Sequence, residues 1–285
     1  GVWIMAYTTI DNPELYFQCK TYGFTTGAQS ITFDNTDTSM QPDMVWIKSR
    51  SNAGYNHVLN DSVRGVTKFL RPNLTSVEAT ITDALTSFDS NGFTLGADGT
   101  NGEHNDHNQS QNYIAWCWKE SATAGFDIVT FTGNQTARTI SHSLSAKPSW
   151  LWIKNREKVE SWHMQHGALG ATQTAETNTA NAFGSGSTIW NDTEPTTSVF
   201  SVGNNGNINE TGSDIVVYLW ASKQGFSKFG KYTGNANANG TFINLGFKPA
   251  FFIYKCSDTN GEEWKMLDNK RDPFNRGSQR NLNMH

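Results

Sequence analysis

Charge is scarce in this 285-residue chain: Asp, Glu, Lys and Arg make up 17% of it, against roughly 25% in an average soluble protein. The formal net charge is −4 and no basic run occurs. The chain therefore lacks the electrostatic footprint of a nucleic-acid binder and offers nothing to an acidic substrate or a membrane surface. Cysteine is scarce too. Cys19, Cys117 and Cys256 are odd in number, widely separated and set among apolar or aromatic neighbours. That pattern excludes a disulfide framework or a paired-cysteine zinc site and points to buried, reduced packing thiols. No stretch approaches the roughly 18 apolar residues of a membrane helix, and no basic-then-apolar leader is present, so neither a span nor a signal peptide is read. Enzyme signatures are missing as well: there is no Gly-x-Ser-x-Gly elbow, no Gly-Lys-Ser/Thr phosphate loop and no His-Glu-x-x-His helix.

What the chain does have is Asn, Thr, Ser and Gly filling the gaps between short aromatic and β-branched runs. This is the texture of an all-β protein with long polar loops. Seven Asn-x-Ser/Thr sites, at Asn60, Asn73, Asn108, Asn134, Asn191, Asn209 and Asn239, are what so much Asn and Thr produces by chance and carry little weight. "MAYTTIDNPELYF" reads as a natural start at Met5, so Gly1–Ile4 are read as an added or processed end.

The main signal is a repeat. "QPDMVWIKSR" (41–50), "KPSWLWIKNR" (147–156) and "KPAFFIYKCS" (248–257) align on Pro42, Pro148 and Pro249, and a lysine follows each proline by six positions: Lys48, Lys154 and Lys255. Downstream, "SWHMQH" and "EWKMLD" place Trp162 and Trp264 four residues before His166 and Asp268, and "HVLND" places His57 and Asp61 at the same offset. "GFDIVTFTGN" answers "GFSKFGKYTGN" upstream, and "NYIAWCWK" answers "IVVYLWASK" at the end of the unit. A period of about a hundred residues, with seven or eight short strands per unit, is the size of one β-sandwich. The expected organisation is an N-terminal segment over 1–13, sandwiches over 14–120 and 121–223, and a third unit over 224–285 that stops near its midpoint. Half a sandwich exposes a large apolar face, so a continuation of the chain or a partner is expected to cover it.

The phrases "MAYTTIDNPELYFQCKTY", "QPDMVWIKSRSNAGYNHVLNDSVRG", "LTSFDSNGFTLG", "YIAWCWK" and "GFSKFGKYTGN" resemble an uncharacterised family of tandem β-sandwich proteins of tailed bacteriophages, often marine ones. The likeness covers essentially the whole chain. It departs at "TYGF", where the other units read "TGN", and in the half-length third unit. The resemblance implies a virion structural or tail-fibre-like protein, with jelly-roll, laminin-G-like or concanavalin-like sandwiches, made in the host cytoplasm and residing in the virion. It also implies other virion proteins as partners and a homo-oligomer. It supplies no catalytic residues and no cofactor.

Candidate sites follow from the residues themselves. Asp61 with Arg64, and Asp268 with Arg271, repeat an acid and a base at a spacing of three; the pairs read either as a ligand clamp or as a turn-stabilising ion pair, and the second is preferred because His166 and Leu169 stand there in the middle unit. "HMQH" puts His163 and His166 on opposite faces of a strand, which disfavours a metal pair. The loop "GADGTNGEHNDHNQSQN" (96–112) offers Asp98, Glu103 and Asp106 as oxygen ligands for calcium. It lacks EF-hand spacing, however, and reads better as a solvated tip, as does "SDTNGEE" (257–263). Ten tryptophans could stack on sugars, but most fall at repeated strand positions, where packing explains them. Trp190, in "STIWNDTEPTT", lies outside the repeated phrases and is singled out as the exposed contact residue. The function expected is a non-enzymatic tail-fibre or surface appendage contacting host glycans. The alternatives are a capsid decoration or tail adaptor protein, and a glycan depolymerase, which would need two carboxylates about 5–9 Å apart across a cleft.

Overall fold

The computed structural model describes residues 7–35, 37–99, 101–106, 110–271 and 282–284. The reading of Gly1–Ile4 as an added end, the sequon at Asn108, His107 of the calcium loop and most of the tail after residue 271 lie outside the described residues.

Each Pro-led phrase becomes a strand that begins two residues after its proline: Met44–Ser49, Trp150–Asn155 and Phe251–Tyr254. The offset has a physical reason. Proline has no N–H to give a ladder, so the next residue makes the first bond: Asp43 N donates to Trp118 O at 2.8 Å and Ser149 N donates to Trp220 O at 2.6 Å. In the first unit the main antiparallel sheet runs Phe17–Gly23, Asn112–Trp118, Met44–Ser49, Val58–Asp61, and a second sheet of Gln29–Thr32, Gly92–Leu95 and Leu85–Asp89 lies opposite. The middle unit repeats the order as Phe126–Thr132, Asp214–Trp220, Trp150–Asn155, His163–His166, then Gln173–Glu176 and Gly184–Ser185, with Arg138–Ser141 and Val199–Val202 opposite. The third unit contributes Phe251–Tyr254, Lys265–Asp268 and Leu282–Asn283. The chain is thus all-β, built of several separate antiparallel sheets packed as β-sandwiches, with two four-residue helices, Ser187–Trp190 and Gly206–Asn209, in the middle unit.

Alternation along the strands decides which side chain goes where. Val45, Ile47, Tyr113, Ala115 and Cys117 point into the first sandwich, and Leu151, Ile153, Ile215, Val217 and Leu219 into the second. The other face of the same strands carries Met44, Trp46, Trp116, Trp118, Trp150, Trp152 and Tyr218. All of these join one further cluster together with Trp264, Met266 and Met284 of the third unit. This explains why Met44–Ser49 and Trp150–Asn155 are buried at every position. A large aromatic buries about 150–250 Å², so each contributes roughly 4–6 kcal/mol of transfer free energy before entropy is counted. The cohesion between units is therefore aromatic, with Trp46 and Trp152 rings 5.2 Å apart and Trp150 and Trp264 rings 5.8 Å apart.

Three expectations are corrected here. Trp190 is fully buried: its helical turn swings Ile189 and Trp190 into the core of the middle sandwich. Cys19 and Cys117 are buried as expected, but Cys256 is exposed. The described part of the 96–112 loop is no solvated tip, since Asp98, Glu103, His104, Asn105 and Asp106 are all buried.

Candidate functional site

The residues with chemistry gather where the three units meet, and they bond across the boundaries at corresponding positions of the repeat. His57, Trp162 and Trp264 immediately precede equivalent strands. Trp162 Nε1 donates to Arg71 O at 3.0 Å, and Trp264 Nε1 donates to Glu176 O at 3.3 Å. His57 Nδ1 accepts from Trp46 Nε1 at 3.0 Å, which leaves the proton on Nε2 to be donated to Asn283 O at 2.9 Å. The acceptors also correspond: Arg71, Glu176 and Asn283 each follow the residue that pairs with Leu59, Met164 or Met266. The bonds run from the first unit to the third, from the third to the second and from the second to the first. The ring is closed. Burial holds the His57 imidazole neutral, with its pKa lowered to about 3.

A second set of bonds uses the paired acids. Tyr218 Oη of the middle unit donates to Asp61 Oδ2 at 2.5 Å, and Trp116 Nε1 of the first unit donates to Asp268 Oδ2 at 3.0 Å. Tyr218 and Trp116 occupy the same place in the repeat. Each acid is neutralised locally: Arg64 Nε and Arg271 Nε each stand 2.5 Å from the Oδ2 of Asp61 and Asp268, and Arg64 also binds Glu78. Both ion pairs are buried. The structure thus uses Asp61, Arg64, Asp268 and Arg271 as internal anchors and offers no clamp to a ligand. In the middle unit the matching residue is His166, whose Nδ1 accepts from Ala168 N at 3.1 Å.

The repeated lysines belong to the same junction. Lys154 Nζ donates to Asn155 O and Lys158 O at 2.8 Å, and reaches Thr75 O of the first unit at 3.3 Å. Lys255 Nζ likewise reaches Ala180 O of the middle unit at 3.1 Å. Burial lowers the Lys154 pKa to about 8 and also lowers those of Lys48 and Lys255. The lysine six residues after each proline was the one sequence signal for this role. The indole donors gave none, because their partners lie a whole unit away.

The suggested calcium ligands are separated by their partners. Asp98 accepts from His104 N at 2.7 Å, Glu103 pairs with Arg71 at 2.8 Å, and Asp106 accepts from Tyr55 Oη. Among the described residues no group of three or more His, Cys, Asp or Glu side chains is placed to hold a metal ion. His163 and His166 lie on a strand, and burial lowers the His163 pKa to about 4. One acid missed in the sequence is Glu120, at the boundary of the first two units. Burial, a hydrogen bond to Asp127 and the charge of Asp43 push its pKa up to about 7.

Among the described residues the junction is open on one side. In the first two units a closing strand, Asn112–Trp118 or Asp214–Trp220, sits between the unit's first strand and its Pro-led strand. In the third unit, among the described residues, Phe251–Tyr254 pairs with Lys265–Asp268 alone, and residues 226–232, which match the first strand, form no regular strand. Between them lies a groove of about 1090 Å³, lined by Trp118, Trp220, Phe229, Phe251, Ile253 and His166 among others.

A family model described as a domain of unknown function (DUF7483) matches residues 12–285. No curated protein and no solved structure matches the chain.

Proposed function

The chain belongs to the DUF7483 family, whose description names no activity, and from that footing we propose that it is a non-enzymatic structural protein of a bacteriophage particle, built into a tail fibre or surface appendage. The observation that carries this reading is where the aromatic and charged residues go. Trp46, Trp116, Trp152, Trp162 and Trp264 pack into one cluster between units, and the acids that could have served a ligand are bound to Arg64, Arg271, Arg71 and Tyr55. Chemistry at a site needs groups left poised for a substrate; here they are used for cohesion. The likeness of the repeated phrases to tandem-sandwich virion proteins supplies the particle, and a fold alone would not.

The host-glycan contact has lost its named residue, because Trp190 is in the core. The reading therefore rests on architecture. Purified particles of a phage encoding this chain, imaged with a labelled antibody by electron microscopy, are expected to carry it on the tail or its appendages. Absence from the particle, or release of reducing sugar from host envelope by the purified protein, would overturn the proposal. Label on the capsid shell would select the decoration role instead.

A further inference from the structure

Leu282–Asn283 is a strand of two residues on which the ring of units depends. Its Asn283 carbonyl accepts the His57 Nε2 bond that joins the first unit to the third. Among the described residues it is held by its pairing with Lys265 and Met266 and by a main-chain bond from Met284 N to Trp264 O at 3.2 Å.

Asn283 stands directly opposite Lys265, at the place in the repeat where the middle unit sets Glu176 opposite His163. Side chains opposite one another in an antiparallel pair share a face, with Cβ atoms about 4.5–5.5 Å apart. Lys265 Nζ donates to Asn283 Oδ1 at 3.3 Å, and Glu263 Oε2 lies 3.1 Å from the same nitrogen. Trp264 and Met266, on either side of Lys265, are buried in the aromatic cluster and fix the strand on which the lysine stands. The lysine and glutamate side chains are 28% and 38% exposed. An ion pair that exposed contributes little to stability, but the three groups together have the parts of a reaction.

An amine, a carboxamide and a carboxylate in contact are the reactants and the proton carrier of an amide exchange. An ammonium is no nucleophile until it loses a proton, and a carboxylate within hydrogen-bond reach is placed to take it. The carbon to be attacked, Asn283 Cγ, is one bond beyond the oxygen that Nζ already touches, and such proximity is where an intramolecular step gains most. Among the described residues no other lysine has both a carboxylate and a carboxamide oxygen on its Nζ.

We propose that Lys265 and Asn283 join through their side chains in an intramolecular isopeptide bond, with Glu263 carrying the protons. The Lys265 Nζ–Asn283 Cγ bond forms and the Asn283 Cγ–Nδ2 bond breaks. The two protons that the lysine ammonium gives up pass by way of the Glu263 carboxylate to Nδ2, which leaves as ammonium. Charge is conserved, and no oxidant, reductant or cofactor is consumed. The product ties the strand that accepts His57 to its neighbour covalently, and so guards the junction of the units against unfolding and proteolysis whatever particle the chain serves.

Mass spectrometry of the full chain, purified folded and held at neutral pH, tests this without a variant. The intact protein is expected to be one ammonia lighter than its sequence. Digestion in denaturant is expected to yield a branched peptide that contains both Lys265 and Asn283 and is uncut by trypsin after Lys265. Recovery of the two residues in separate, unmodified peptides overturns the proposal. So does a loss of ammonia confined to a linear peptide, as succinimide formation at an Asn-Gly pair such as Asn239–Gly240 produces. Glu263→Gln keeps the side-chain size and removes the proton carrier, so the branched peptide is expected to form at least about a hundredfold more slowly; formation at the parent's rate contradicts the part given to the carboxylate.

Discussion

Tyr218 and Trp190 carry the residue-scale predictions. Tyr218→Phe removes one donor from the buried Asp61 carboxylate and little volume, so it is expected to cost about 1–3 kcal/mol, read as a lower urea midpoint at unchanged slope. Trp190→Ala leaves a cavity in a packed core and is expected to cost about 3–5 kcal/mol. An exposed contact residue would leave the midpoint where it was. Acid sensitivity follows from the buried imidazoles. His57 and His163 have folded pKa values of about 3 and about 4, below their ordinary 6.5. The unfolded chain therefore binds more protons between those limits, so their contribution is complete above about pH 6.5 and is lost as pH falls toward 4. Glu120 acts in the opposite sense: its pKa of about 7, raised from 4.5, gives stability that is complete below about pH 4.5 and lost above 7. Glu120→Gln is thus expected to steepen the loss between pH 7 and 4.5. A midpoint that holds or rises on acidification in that variant would contradict the assignment. At this scale the sequence was least legible. Trp190 has polar neighbours that hid a one-turn helix packed inward, and Glu103 and Asp106 looked solvated because their partners, Arg71 and Tyr55, are distant in sequence. Only the Asp61–Arg64 and Asp268–Arg271 spacing announced its own partner.

Strands were far more legible, because alternation, a leading proline and Gly-Asn turns are local signals. Pro42, Pro148 and Pro249 each stand two residues ahead of a strand, and the phrases that answer one another as "NYIAWCWK" and "IVVYLWASK" became closing strands of equal length. The second apolar face of these strands was visible as a continuous run, but periodicity cannot name what covers it. The third unit shows the same limit, since "GFSKFGKYTGN" answers "GFDIVTFTGN" in the sequence while residues 226–232 form no regular strand. One turn tests the strand geometry directly. Gly92 opens Gly92–Leu95 at φ +134°, and a Cβ there would lie 2.0 Å from Ile31 O on the paired strand. Gly92→Ala is expected to cost at least about 1–3 kcal/mol from backbone strain alone, with loss of protection concentrated in Gln29–Thr32 and Leu85–Leu95. Uniform exchange unchanged from the parent would show that the hairpin does not pack as described.

Across the whole molecule, the repeat foretold units but not their arrangement. A period of a hundred residues suits beads on a string and a closed cluster equally, since aligned positions are alike in both. What distinguishes them is the contact of each unit with the next but one, such as His57 with Asn283, and no sequence spacing reports it. The structure fastens the three units around one aromatic cluster. The most direct test is the radius of gyration of the monomer in solution by small-angle X-ray scattering. A single compact body of 285 residues predicts about 19 Å. A value beyond about 25 Å, as for units of about 13 Å each strung out in a row, would contradict the shared junction.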